Sequence, residues 1–107
     1  MAYKWPDKDP DETIDFSVDW SRFIPNKTLA AANWFIKDSD GTKTSVTNSQ
    51  TVDGLQFVSP TLEASDKVAT ARFASGTVGK KYTVTCSITT GDGLTFERNI
   101  SLRIREK

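Results

Sequence analysis

The last third of the chain most constrains what it can fold into. Residues 82–88 (Tyr-Thr-Val-Thr-Cys-Ser-Ile) and 94–104 (Leu-Thr-Phe-Glu-Arg-Asn-Ile-Ser-Leu-Arg-Ile) each alternate apolar and polar side chains. Successive side chains of a strand point to opposite faces, so each segment reads as a half-buried strand. Between them, Gly91 and Gly93 of Thr90-Gly-Asp-Gly93 supply the backbone freedom of a tight hairpin turn.

The same period recurs upstream. Residues 13–20 put Ile14, Phe16, Val18 and Trp20 on one face and Thr13, Asp15, Ser17 and Asp19 on the other. Pro25-Asn26 marks a turn. Residues 31–37 then predict a strand with Trp34 and Ile36 on one face and Phe35 on the other. Asp38-Ser-Asp-Gly41 turns that strand back as a hairpin. In residues 42–66, Val46, Val52, Leu55, Phe57 and Val58 sit among Ser, Thr and Asn, which predicts short, irregular edge strands broken by Pro60. Residues 67–74 resume a strand whose inward set is either Ala69, Ala71 and Phe73 or Val68 and Thr70. At the start, Tyr3 and Trp5 flank Lys4, and Pro6 and Pro10 bracket a charged run. Proline holds its predecessor extended, so residues 1–11 read as an arm and residues 12–107 as the folded domain.

About seven short strands without helical periodicity define an all-β sandwich. Two positions sharpen this to an immunoglobulin-like sandwich. Trp34 stands on the strand after the first strong one, where such a fold buries a tryptophan. Tyr82 opens the next-to-last strand, at the position of the tyrosine corner. The inter-sheet cysteine of antibody domains would stand two residues later, and that position is Val84. The expected core therefore includes Phe16, Trp20, Trp34, Tyr82, Val84, Cys86 and Ile88, held by packing alone.

Composition excludes several function classes. At 107 residues the chain suits one domain. Lys plus Arg equals Asp plus Glu at 14 each, which argues against nucleic-acid and anionic-membrane binding. No window approaches the roughly 20 apolar residues of a membrane helix. Charged residues occupy the place of a signal-peptide core, and the single Cys86 suits synthesis in a reducing cytoplasm. Histidine is absent, which removes Ser-His-Asp and Cys-His nucleophiles and the usual zinc sites. The residues 7–12 and 38–41 resemble calcium loops superficially, but an EF-hand begun at Asp7 would need Gly where Glu12 stands and Glu where Val18 stands. No enzyme, cofactor or metal site is expected.

Charge is unevenly placed. The first twenty residues hold six acids and two Lys, and the last ten hold four bases and one Glu. Ends of opposite sign suit either arm-to-strand pairing within one subunit or docking between subunits. Rigid aromatics are frequent interface anchors, so the arm is a candidate protein interface. The candidate residues are Tyr3, Trp5, Pro6, Asp7, Asp9 and Asp11, with Arg103 and Arg105 as complements. The alternative is that residues 3–5 form the first strand of their own sheet.

The leader Tyr-Lys-Trp-Pro-Asp-Lys-Asp-Pro-Asp-Glu (residues 3–12), followed by Asp-Phe-Ser-Val-Asp-Trp (residues 15–20), resembles a family of small bacteriophage tail proteins described as fiber–tail adaptors. The stretches 75–82, 88–90 and 93–98 are similar to the same pattern. This resemblance implies a non-catalytic structural role in the virion, with other tail, fiber or connector proteins as partners and a homo-oligomer in the particle. A head decoration protein and a carbohydrate-binding sandwich are the alternatives; the latter needs exposed aromatics, for which Trp5 is the available candidate.

Overall fold

The computed structural model describes residues 3–22, 24, 26–37, 41–63 and 67–106, with Tyr3 and Lys4 by their backbone alone. The strands described are β1 (Tyr3–Lys4), β2 (Ile14–Asp19), β3 (Leu29–Lys37), β4 (Lys43–Val46), β5 (Gln50–Val52), β6 (Leu55–Glu63), β7 (Val68–Ser75), β8 (Lys81–Thr90) and β9 (Thr95–Arg103). They form one sheet in the order β1-β9-β8-β3-β4 and a second in the order β2-β7-β6-β5. Every pairing is antiparallel except that of β1 with β9. The chain changes sheet after β1, β2, β4 and β7, and the architecture is an immunoglobulin-like sandwich. The two-residue β1 and the short β4 and β5 bring the strands above the expected seven.

Strand alternation fixes what faces inward. In β2, Phe16 is buried while Asp15, Ser17 and Asp19 are exposed. Its pairing with β7 settles the facing of that strand: Ala69, Ala71 and Phe73 are buried, and Arg72 faces solvent. Arg72 meets Asp15 across the strand pair at 2.8 Å. Turning β7 over would bury that guanidinium at a cost of several kcal/mol. Trp20 lies one residue beyond β2, fully buried, and its N–H donates to Lys67 O at 2.8 Å.

Two expectations are corrected. Residues 55–63 make one nine-residue strand, and Pro60 does not break it. Pro60 pairs with Ala71 of β7, whereas β5 covers only residues 55–57 on the other side. Beyond that point β6 is a sheet edge, where a residue lacking an N–H is tolerated. A register shift between Phe57 and Ser59 adjusts the strand just before the proline. The second correction is that β3 starts at Leu29, with a register shift before Ala31. Pro25 and residues 38–40 of the turn expected over 38–41 lie outside the described residues. On either side of those residues β3 and β4 pair antiparallel, with Lys37 opposite Lys43.

The core lies between the sheets. Phe16, Trp20, Trp34, Tyr82, Val84, Cys86 and Ile88 are at most 6% exposed. Phe57 and Phe73 meet edge-to-face at 5.7 Å, and Trp34 lies 6.3 Å from Phe57. Such ring pairs favour tilted geometries because the edge of one ring is electropositive and the face of the other electronegative.

Candidate functional site

Four chain segments converge at one end of the sandwich. The hydroxyl of Tyr82 donates to Asp53 O at 2.6 Å and accepts the Thr77 N–H at 3.2 Å. This is the tyrosine corner, with the turn between β5 and β6 added to it. Gly76 N–H donates to Gly54 O at 2.9 Å, and Lys80 Nζ lies 2.6 Å from Asp53 Oδ1. Gly76 has φ +112°, and a Cβ there would stand 2.7 Å from Ile104. The corner therefore requires glycine on both backbone and packing grounds.

The leader is built onto this corner. Tyr3 and Lys4 pair in parallel with Ile100 and Ser101. Trp5 N–H donates to Ser101 O at 3.0 Å, Lys8 N–H to Arg103 O at 2.9 Å, and Arg105 N–H to Lys8 O at 2.8 Å. The Trp5 ring stacks on Phe16 at 4.9 Å with planes 12° apart, and its indole N–H donates to Ser17 O at 3.1 Å. One residue thus joins β9 of one sheet to β2 of the other. Next in the chain, Lys8 is fully buried, with Nζ donating to Ser75 O at 2.7 Å and to Asp9 O at 2.9 Å. An ammonium in that position is tolerated only where carbonyls replace its water. Sequence reasoning passed over Lys8, because Asp-Lys-Asp-Pro carries every mark of a solvated run.

The candidate interface residues divide accordingly. Trp5 is 8% exposed and belongs to the core. Tyr3 is placed by its backbone in the sheet. Pro6, Asp11, Arg103 and Arg105 are exposed, while Asp7 and Asp9 are partly buried. Asp9 organises the turn that follows: its carboxylate accepts the Asp11 N–H at 2.8 Å, and its own N–H donates to Glu12 Oε1 at 2.8 Å. Asp7 Oδ2 lies 3.6 Å from the guanidinium of Arg105. The acidic leader and the basic C-terminal segment therefore meet within one subunit. With Trp5 at 8%, Trp20 at 0% and Trp34 at 2% exposed, the tryptophan invoked for a carbohydrate-binding face is not on the surface.

Chemistry elsewhere is structural. Burial pushes the Cys86 thiol up to about 12, partly offset by a hydrogen bond involving Trp20, so the nucleophilic thiolate is absent at neutral pH. At the far end of the sandwich, Lys27 pairs with Asp92 at 2.6 Å, and Gly91 N–H donates to Thr28 O at 3.0 Å. The contacts of Asp92 with Lys27 and then with the Thr90 hydroxyl hold its carboxyl below the usual range. Among the described residues no three His, Cys, Asp or Glu side chains are grouped to hold a metal ion.

A sandwich whose leader closes its own sheets, with charged side chains engaged in surface pairs, defines a small structural β-module. Residues 8–103 match the family described as podophage GP4 fiber-tail adaptor protein gp77, and the chain belongs to that family. It is accordingly a structural component of a phage tail, and so of the virion. The matched span takes in the second half of the leader and every strand from β2 to β9. No curated protein matches the chain.

Proposed function

We propose that this chain is a non-catalytic connector that joins fiber components to the tail through protein–protein contacts. The observation that carries this reading is the family match over residues 8–103. That match favours the tail over a head decoration role. It interacts with other tail and fiber proteins, is made in the host cytoplasm, and assembles as a homo-oligomer in the particle.

The contact surface we assign is the exposed part of the leader end: Pro6 and Asp11 with Arg103 and Arg105, backed by the half-buried Asp7 and Asp9. Trp5 contributes indirectly, by holding the leader against β9 and β2. Clustered charges of both signs favour a partner of complementary pattern and contribute more to specificity than to affinity. The test is to add purified protein to tails from particles that lack it, and to compare it with an Asp11→Lys, Arg103→Glu double variant. Both substitutions are on exposed side chains, so folding is expected to be preserved. Uptake of the unmodified protein with at least tenfold weaker uptake of the variant supports this surface. Equal uptake removes the surface, and no uptake of either protein removes the adaptor reading.

A further inference from the structure

The described residues of the leader cover only part of β9. They pair with Ile100 and Ser101 and bridge again at Ile104, so among the described residues no strand lies beside residues 95–99 on that side. Main-chain direction along this edge follows from the observed bonds. The carbonyls of Ser101 and Arg103 accept N–H groups from the leader. Alternate residues of a strand present their N–H and C=O to the same side, so Thr95 and Glu97 direct theirs to the uncovered edge. Both residues are exposed, and Leu94 beside them is 47% exposed.

Two other edges in the sandwich carry devices against strand addition. Pro60 sits on the uncovered edge of β6. On β2, the indole N–H of Trp5 already occupies the Ser17 carbonyl, and Asp15 and Asp19 are exposed. The 95–99 segment of β9 carries no proline; its Glu97 carbonyl accepts the Arg98 guanidinium at 3.1 Å, so what it offers an added strand is the N–H groups of Thr95 and Glu97, for which no described side chain is an acceptor.

We propose that this segment of β9 is a strand-addition site for an extended segment of a tail or fiber protein. This rests on the adaptor reading above and names how one partner is held. The chain's own leader shows what fits: an extended backbone on β9, with an aromatic side chain turned into the sandwich at Trp5. Addition of a peptide strand supplies main-chain hydrogen bonds for affinity and alternate side chains for specificity. On the outer face the occupant meets Glu97, whose side chain is 53% exposed and 3.9 Å from Lys43. On the inner face it meets Phe96, which is partly buried against the core. The fitting segment therefore alternates a basic residue, opposite Glu97, with an apolar one. A second copy is a poorer occupant. Antiparallel pairing of two such edges about Glu97 sets two carboxylates opposite each other, which is destabilising, and the aromatic anchor of another copy's leader, Trp5, is already buried in its own core.

The experiment is amide hydrogen exchange on the full chain, alone and bound to tails purified from particles lacking it, with separately purified fiber protein as a second probe. We expect the Thr95 and Glu97 amides to exchange freely in the isolated protein and at least tenfold more slowly in one of the two complexes. Glu97→Pro, which removes an edge N–H without touching the β8 ladder, is expected to weaken that complex at least tenfold, while Glu97→Ala weakens it far less. Binding without protection of these amides overturns the proposal and leaves the adaptor reading intact. Protection that grows with concentration in the isolated protein assigns the edge to a second copy and overturns it as well. Failure to bind either probe removes both. If Glu97→Pro does not fold, exchange on the unmodified chain decides alone.

Discussion

Cys86 and Lys8 show how differently two ionisable residues can be buried. Cys86 occupies an inward position on β8 opposite Arg98 and is fully buried. Its folded value of about 12 lies above the value near 9 of an ordinary thiol. The folded state therefore keeps a proton that the unfolded chain has released, so stability is complete below about pH 9 and declines as pH rises toward 12. Within that window the thiol lowers unfolding free energy by about 1.4 kcal/mol per pH unit. The contribution is read as a difference. Denaturant unfolding of the natural chain and of Cys86→Ala from pH 8 to 11 is expected to show a shallower alkaline decline in the variant; parallel curves contradict the assignment. Cys86 was legible as a core residue because its neighbours alternate. Lys8 was not, because its burial is made tolerable by carbonyls that converge on it in space, those of Asp9 and Ser75 among them.

Among the elements, legibility followed regularity. β2 and β9 keep the two-residue period in burial, and β8 keeps it in sequence although Thr85 and Ser87 on its other face are buried too, so the existence of all three could be read directly. β6 was misread because Pro60 is a strand breaker only where both edges are paired, and edge coverage is a tertiary property. The β7–β8 connection offers a test of the corner. Gly76→Ala places a methyl 2.7 Å from Ile104 on a backbone with φ +112°, whereas Gly79→Ala, at φ +85°, meets nothing within 4 Å. The first is expected to cost about 2–4 kcal/mol and the second about 1–2 kcal/mol, since both carry backbone strain and only the first adds overpacking. Denaturant midpoints measure both. Equal losses indicate that Ile104 moves aside without cost.

For the molecule as a whole, the leader is a structural strand first and a contact surface second. Deleting residues 2–6 removes Trp5, with its stacking on Phe16 and its bonds to Ser101 and Ser17. Loss of a buried tryptophan costs about 3–5 kcal/mol. Truncation is therefore expected to lower the unfolding free energy by at least that much, and an unchanged midpoint shows that the ring is not part of the core. Any loss of association on truncation then has two causes, which is why surface substitutions at Asp11 and Arg103 are the cleaner probe of contact. The sequence by itself determined the all-β class, the sandwich with its buried Trp34 and corner Tyr82, and the resemblance to the adaptor family. Those follow from local periodicity and from residue types whose geometry is fixed near their own position. The tertiary structure alone decided that Trp5 lies inside, that acidic leader and basic C-terminal segment meet in one subunit, that Lys8 is buried, and that among the described residues no strand lies beside residues 95–99 of β9. Each of these depends on which distant segments lie side by side, and alternation along one strand carries no information about its neighbour.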